Sequence, residues 1–191
     1  MTPASTAALF ALGLLILIVL FVVVTSYNAV IALRQRIDKA WANIDVVLKQ
    51  RHDQLPALVS AVRGVMAFEQ DVLTDVARAR AAYSATEPIP AQAATSERTS
   101  AAVRSLFAVV ERYPDIKSAA NVADLQDEIE RLEAMIADRR ELYNDQVYRY
   151  NTRIVQVPGA LLAPVFGWRP REFFAADPGE LTRPDVGLPV P

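Results

Sequence analysis

Hydrophobic and polar positions divide this chain into stretches of unlike character. No charged side chain occurs before Arg34, and Ala7 to Thr25 reads AALFALGLLILIVLFVVVT. At about 1.5 Å of rise per residue, a helix over that run spans roughly 28 Å, close to the ~30 Å hydrocarbon core of a bilayer. The run is apolar around its whole circumference, which suits lipid better than a one-sided protein core. Ala7, Leu12, Leu15, Ile18, Phe21 and Val24 are the expected membrane-spanning positions. A cleaved signal is the second reading, because Val24 and Ser26 satisfy a lenient small-residue rule ahead of Tyr27. Against it, Met1 to Thr6 has no Lys or Arg, and the apolar run exceeds a signal core.

Beyond the run, Leu33, Ile37, Trp41, Ile44, Leu48, Leu55, Val59, Val62, Met66, Leu73 and Val76 recur at helical spacing. The phase crosses Pro56 without resetting. Two forms fit: one helix from about Asn28 to Tyr83 kinked at Pro56, or a new helix capped by Asp53 with Pro56 in its first turn. No Pro or Gly lies between Phe21 and Pro56, so the anchor is expected to run into the first bundle helix as a stiff stalk.

Ser84 to Ser100 carries Pro88, Pro90 and small polar residues with no apolar period. It predicts a loop grading into a helix over about Ser96 to Tyr113, with Val103, Leu106, Phe107 and Val110 on the apolar face. Asn121 is placed to cap the next helix, with Asp124 near its positive end. There Val122, Ile129, Ile136, Tyr143, Tyr150 and Val157 fall seven apart. Leu125 and Leu132 interleave as in a heptad, and the apolar partners then drift to Val147 and Ile154, as a straight helix in a bundle requires. Asp127/Arg131 and Asp145/Arg149 have the spacing of weak surface pairs. Seven of the twelve prolines follow Val157. The expected organisation is an anchor over 1–26, a helical bundle over 27–157, an aromatic cap over 158–176 and a Pro-rich disordered tail over 177–191. The fold class is all-α, a transmembrane helix continuing into an antiparallel four-helix bundle.

Composition narrows the chemistry. Of 191 residues, roughly 165 lie beyond the anchor, enough for one domain with a core. There is no cysteine, so disulfides, thiol catalysis and Cys–zinc sites are excluded. Net charge is −2 with no basic stripe, which argues against a nucleic-acid partner. Six glycines and no Gly-rich loop argue against a phosphate cradle. No cofactor is expected. Arg34, Arg36 and Lys39 follow the apolar run and no basic residue precedes it, so the expected topology is N-terminus outside and domain in the cytoplasm, at the inner membrane.

His52 is the single histidine and lacks a partner of defined spacing. Glu-x-x-His pairs that would hold two metals are absent. Glu128, Glu130, Glu133, Asp138 and Glu141 mostly describe a solvated face, but Glu133 borders the apolar stripe. Glu133 and Arg140 are therefore expected to reach polar groups on neighbouring helices and fix bundle register. Asn28, Asn144 and Asn151 each follow a Tyr; Asn is a poor helix former, and mid-helix it points to an inter-helix hydrogen bond. Tyr143 and Tyr150 read as core. Phe166, Trp168, Phe173 and Phe174, with Arg169 and Arg171 between, form a candidate interface that either caps the core or touches lipid head groups or a partner.

Several words together resemble the LemA family of bacterial membrane proteins: YNAVIALR from Tyr27, AWANIDVVLKQR from Ala40, LPALVSAVRG from Leu55, ERYPDIKSAAN from Glu111 and RELYNDQVYRYNTRI from Arg140. PGALLAPVFGW and the following FF continue the likeness to Phe174. Two features depart from the family pattern. Leu132, Glu133 and Ala134 stand where the family tends to have Thr-Glu-Asn, and His52 stands in place of a usual Tyr. The resemblance implies a cytoplasmic antiparallel four-helix bundle behind one membrane helix, with no established enzymatic activity.

The sequence therefore leads to a non-enzymatic membrane-anchored bundle acting as scaffold, adaptor or self-assembling element. Its expected partners are the lipid bilayer and either a second copy of the chain or another membrane protein. A small-molecule-binding or catalytic bundle with an inter-helix pocket is the alternative, and a secreted bundle released by signal cleavage is the third reading.

Overall fold

The computed structural model describes residues 3–63, 69–114 and 119–175. Among these the chain forms five α-helices and no strand: α1 Pro3–Arg63, α2 Gln70–Ala81, α3 Ile89–Val110, α4 Ala120–Val155 and α5 Gly159–Phe166. The Pro-rich segment 177–191 lies outside the described residues.

Of the two forms expected around Pro56, α1 follows the continuous one, although it stops short of the expected Tyr83. The helix passes through that proline without a break and ends at Arg63, and a separate α2 carries Leu73 and Val76. Proline deletes one backbone hydrogen bond. Here the neighbouring Leu55, Leu58 and Val59 are all buried, and their packing holds the turn in place. In the apolar part of α1 the Thr25 hydroxyl donates to the carbonyls of Phe21 (2.9 Å) and Val22 (3.1 Å), so it needs no external partner.

The described residues fall into two compact units, 3–40 with 144–171, and 41–63, 69–114 and 119–143 with 172–175. In the second unit, four helices share one core. Leu55, Leu58, Val59 and Val62 of α1 meet Leu73 and Val76 of α2, Val103, Leu106, Val109 and Val110 of α3, and Val122 and Ile129 of α4. Full burial of such a side chain contributes about 1.5–3 kcal/mol. This shared core holds together helices whose surface faces are polar.

α3 begins well before the predicted Ser96. Pro88 is its N-cap and Pro90 lies in its first turn, where a missing N–H costs nothing. The face buried by its first half is Gln92, Ala93, Ser96, Thr99 and Ser100. Such a face has no hydrophobic period to read. Gln92 Nε2 donates to the Glu87 carbonyl (2.8 Å) and ties the preceding loop to the helix.

α4 starts at Ala120. The Ala119 carbonyl accepts from the amides of Val122 and Ala123, so Asn121 sits inside the first turn and is not the cap. The buried stripe is Val122, Ile129, Leu132, Ile136, Tyr143, Val147, Tyr150 and Ile154. Val157, the last member of the expected series, lies past the end of the helix and is exposed. Arg131 pairs with Glu128 (2.6 and 2.9 Å) and not with Asp127, while Arg149 pairs with Asp145 (2.8 Å). Hydrogen bonding to Arg131 holds the Glu128 carboxyl below its usual range.

In the first unit α5 turns back on the end of α4. Gly159 permits this: a β-carbon there would lie 2.1 Å from the Arg153 carbonyl oxygen. α5 ends at Gly167, whose φ of 66° is left-handed, and the Trp168 amide donates back to the Ala163 carbonyl (2.9 Å).

Candidate functional site

The second unit is organised around a charge. Arg51 on α1 is only 3% exposed. Its Nη1 donates to Glu133 Oε1 on α4 (2.7 Å) and to Ser100 Oγ on α3 (2.9 Å). Its Nη2 donates to Ser96 Oγ (3.0 Å) and to the Ser96 carbonyl (3.4 Å). The Ser100 hydroxyl in turn donates to Glu133 Oε2 (2.6 Å). Both carboxylate oxygens thus receive a donor from within the protein, and three helices are joined at one point. Short charge-assisted bonds of this kind fix geometry as well as adding energy.

The sequence pointed to Glu133 but not to Arg51, Ser96 or Ser100. The signal was present as a gap. The apolar series on α1 jumps from Leu48 to Leu55, and Arg51 fills the intervening slot, three residues after one and four before the other. On α3, Ser96 and Ser100 extend the stripe of Val103 backwards with the same spacing.

Beside this node the His52 ring lies 5.1 Å from the Tyr83 ring, and the buried His52 Nδ1 has no hydrogen-bond partner. A cavity of about 10 Å³ adjoins them, lined by Arg51, His52, Tyr83 and Thr99 among others, the space of about one water. The Tyr83 hydroxyl donates to Asp45 Oδ1 (3.3 Å). Burial, and then the negative charge of Asp45, push the Tyr83 phenol up to about 12.

The C-terminal aromatics do not form one cluster. Phe174 is buried in the second unit against Trp41 (5.9 Å between rings), and Trp41 also meets Tyr143 edge-on (5.8 Å). Phe174 is therefore core and no surface contact, because the Tyr143 hydroxyl holds the Glu172 carbonyl (2.9 Å) and draws this part of the chain inward. Phe173 is half-buried. In the first unit Phe166 stacks on Trp168 (5.3 Å), and Tyr27 of α1 lies 5.0 Å from Phe166 and 6.2 Å from Trp168.

The asparagines also divide. Asn151 Nδ2 donates to the Arg171 carbonyl (2.9 Å) while its Oδ1 accepts from the Arg171 amide (2.8 Å), a two-way clamp on one residue of the tail. Tyr150 adds a bond to the Arg169 carbonyl (3.1 Å), and Arg171 approaches Asp38 (3.6 Å). Asn144 and Arg140 are half-buried. Asn28 is exposed on α1, so it is not among the side chains brought together.

Of the membrane-spanning set, Leu12, Leu15, Ile18, Phe21 and Val24 are exposed; the Ala7 side chain lies outside those described. α1 is long and apolar enough to cross a membrane. The LemA family profile matches residues 40–187. The chain belongs to the LemA family. It is also 36% identical over 77 residues to the magnetosome proteins MamQ 1 and MamQ 2 of Paramagnetospirillum magneticum. The corresponding figure for the magnetosome protein MamQ of Magnetospirillum gryphiswaldense is 32%. Each match covers 40% of this chain and 28% of the relative, so the chain spans little over a quarter of these curated relatives. LemA membership and the exposed apolar helix together fit a membrane-associated helical protein.

Proposed function

We propose that this LemA-family chain is a non-enzymatic, membrane-anchored bundle. It serves as a scaffold, adaptor or self-assembling element at the cytoplasmic face of the inner membrane, with its N-terminus outside. The observation that carries this reading is that the exposed apolar run and the core residues Leu55 to Val62 belong to the same unbroken helix. Tethering confines the bundle to a thin layer and raises its effective concentration towards any membrane partner. The short bonds of the Arg51–Glu133 node are spent inside the protein, as suits a structural centre more than a reacting one.

Two measurements test this. With no native cysteine, Glu130→Cys is a unique label site, expected to react with an impermeant maleimide only after cells are opened. Reaction in intact cells would overturn the topology. Protein extracted in mild detergent is expected to exceed monomer mass by light scattering, or to co-purify a membrane partner. A lone monomer without partner would count against the scaffold role.

A second reading, a small-molecule-binding bundle, draws on an open groove of about 380 Å³ between α2 and α3, where Arg78 and Arg98 accompany Ala79, Ala82 and Ala102. Ligand-dependent thermal stabilisation that an Ala102→Trp filling variant abolishes would favour it.

A further inference from the structure

α5 and its flanks present an exposed apolar surface. GALLAPVF has no polar side chain. Leu161 and Val165, four residues apart on one helical face, are 70% and 76% exposed, and Phe166 is exposed beside them. Contiguous exposed apolar residues of this kind mark a contact with another surface.

Three observations identify that surface. The first is position: within its unit, α5 meets α1 at Tyr27, two residues past the apolar run, through the Phe166 ring at 5.0 Å. Its exposed side chains thus lie at the level where the exposed apolar face of α1 ends. The second is residue type: Tyr27, exposed there and packed on Phe166 and the buried Trp168, is an aromatic that favours the boundary between lipid and water. The third is charge. The whole chain carries −2, yet the unit holding α1 up to residue 40, the end of α4 and α5 has seven Lys and Arg against two Asp. Such an excess of positive charge is drawn to anionic head groups. α5 is also held in place on both sides, by the close approach of Gly159 to Arg153 and by the left-handed turn at Gly167.

We propose that α5 is a second membrane contact. Leu161, Val165 and Phe166 enter the head-group boundary of the same anionic bilayer that α1 spans, while Arg153 and Arg169 face the phosphates. This rests on the reading of α1 as the spanning helix. The result is a two-point attachment, one helix through the bilayer and one lying on it.

The test uses full-length protein in vesicles of phosphatidylglycerol and phosphatidylethanolamine. Single cysteines replace Ile18, Leu161, Val165 or Glu130 and carry a nitroxide; all four sites are exposed, so the fold is spared. Collision rates with oxygen and with a water-soluble nickel complex report depth. The expected result is a deep label at Ile18, labels at Leu161 and Val165 about 5–10 Å inside the head-group boundary, and an aqueous label at Glu130. If Ile18 is deep but Val165 is as accessible to nickel as Glu130, the second contact is overturned and the anchor stands. If Ile18 itself is aqueous, the anchor fails and the inference with it. If Val165 is shielded but its spectrum is broadened by a nearby nitroxide, a second copy covers α5 and the lipid contact is overturned.

Discussion

Arg51 and Glu133 stand 82 positions apart in the chain and 2.7 Å apart in the fold, yet they are not equally buried. The Arg51 side chain is 4% exposed and that of Glu133 27%. Removing either partner leaves a different orphan. Glu133→Gln strands a buried guanidinium without its counter-charge, whereas Arg51→Met leaves a carboxylate that reaches water and keeps its bond from Ser100. We expect Glu133→Gln to cost about 3–5 kcal/mol and Arg51→Met less, by urea unfolding in detergent. The Arg51→Met/Glu133→Leu double variant should cost less than the two singles combined. Equal single costs would refute the asymmetry, and an unchanged melting point and oligomeric state in Glu133→Gln would remove the register role.

The Asn151 clamp on Arg171 predicts a protease result. With both backbone groups of Arg171 bonded, trypsin is excluded from the Arg171–Glu172 bond; Arg169 precedes a proline and resists cleavage in any case. Asn151→Ala deletes two hydrogen bonds of about 1 kcal/mol each, so opening and nicking at Arg171 should rise by roughly tenfold or more. Unaltered cleavage kinetics would show that the tail is held elsewhere.

At Gly159 the prediction is steric. A methyl group cannot share space with the Arg153 carbonyl. Gly159→Ala must push α5 away from α4 at a cost of about 1–3 kcal/mol. A lower melting temperature is expected, with Trp168 fluorescence altered as the Tyr27–Phe166–Trp168 contacts loosen. Wild-type melting and emission would contradict this.

Tyr83 gives a pH signature. Its phenol titrates at about 12 in the folded protein and near 10 when unfolded. The stability it adds is therefore complete below about pH 10 and is lost as pH rises through about 12. Difference absorbance between wild type and Tyr83→Phe should reveal one phenol ionising at about 12. The variant should lose less stability across that interval. A Tyr83 titration near 10 would show the phenol to be freely hydrated.

How far the sequence spoke depends on what each helix buries. α4 was readable because Ile129, Leu132, Ile136, Tyr143 and Ile154 repeat an apolar side chain on one face. The start of α3 was not, because Gln92, Ser96 and Ser100 are buried for their hydrogen bonds, and small polar residues look the same in a loop. Pro88 and Pro90 read as part of a loop, yet a proline that breaks a helix from inside begins one from its first turn. Arg51 is not legible from the sequence, since a cation on an apolar stripe reads as an interruption until Glu133 is seen opposite. Phe174 and Phe166 looked like neighbours of one kind, but sequence spacing says nothing of which unit each ring enters.

The 82-residue separation of Arg51 and Glu133 also sets a schedule for biosynthesis. At about 5–20 residues per second, a ribosome that has just added Arg51 needs roughly 4–16 s more to reach Glu133. During that interval the apolar run is already made, while the guanidinium has no carboxylate to close upon. With α1 spanning the bilayer as proposed, insertion begins on a nascent chain whose bundle centre is still incomplete. Closure of this node waits for α4, so a chain truncated before Glu133 would carry the apolar run but leave its arginine unmatched.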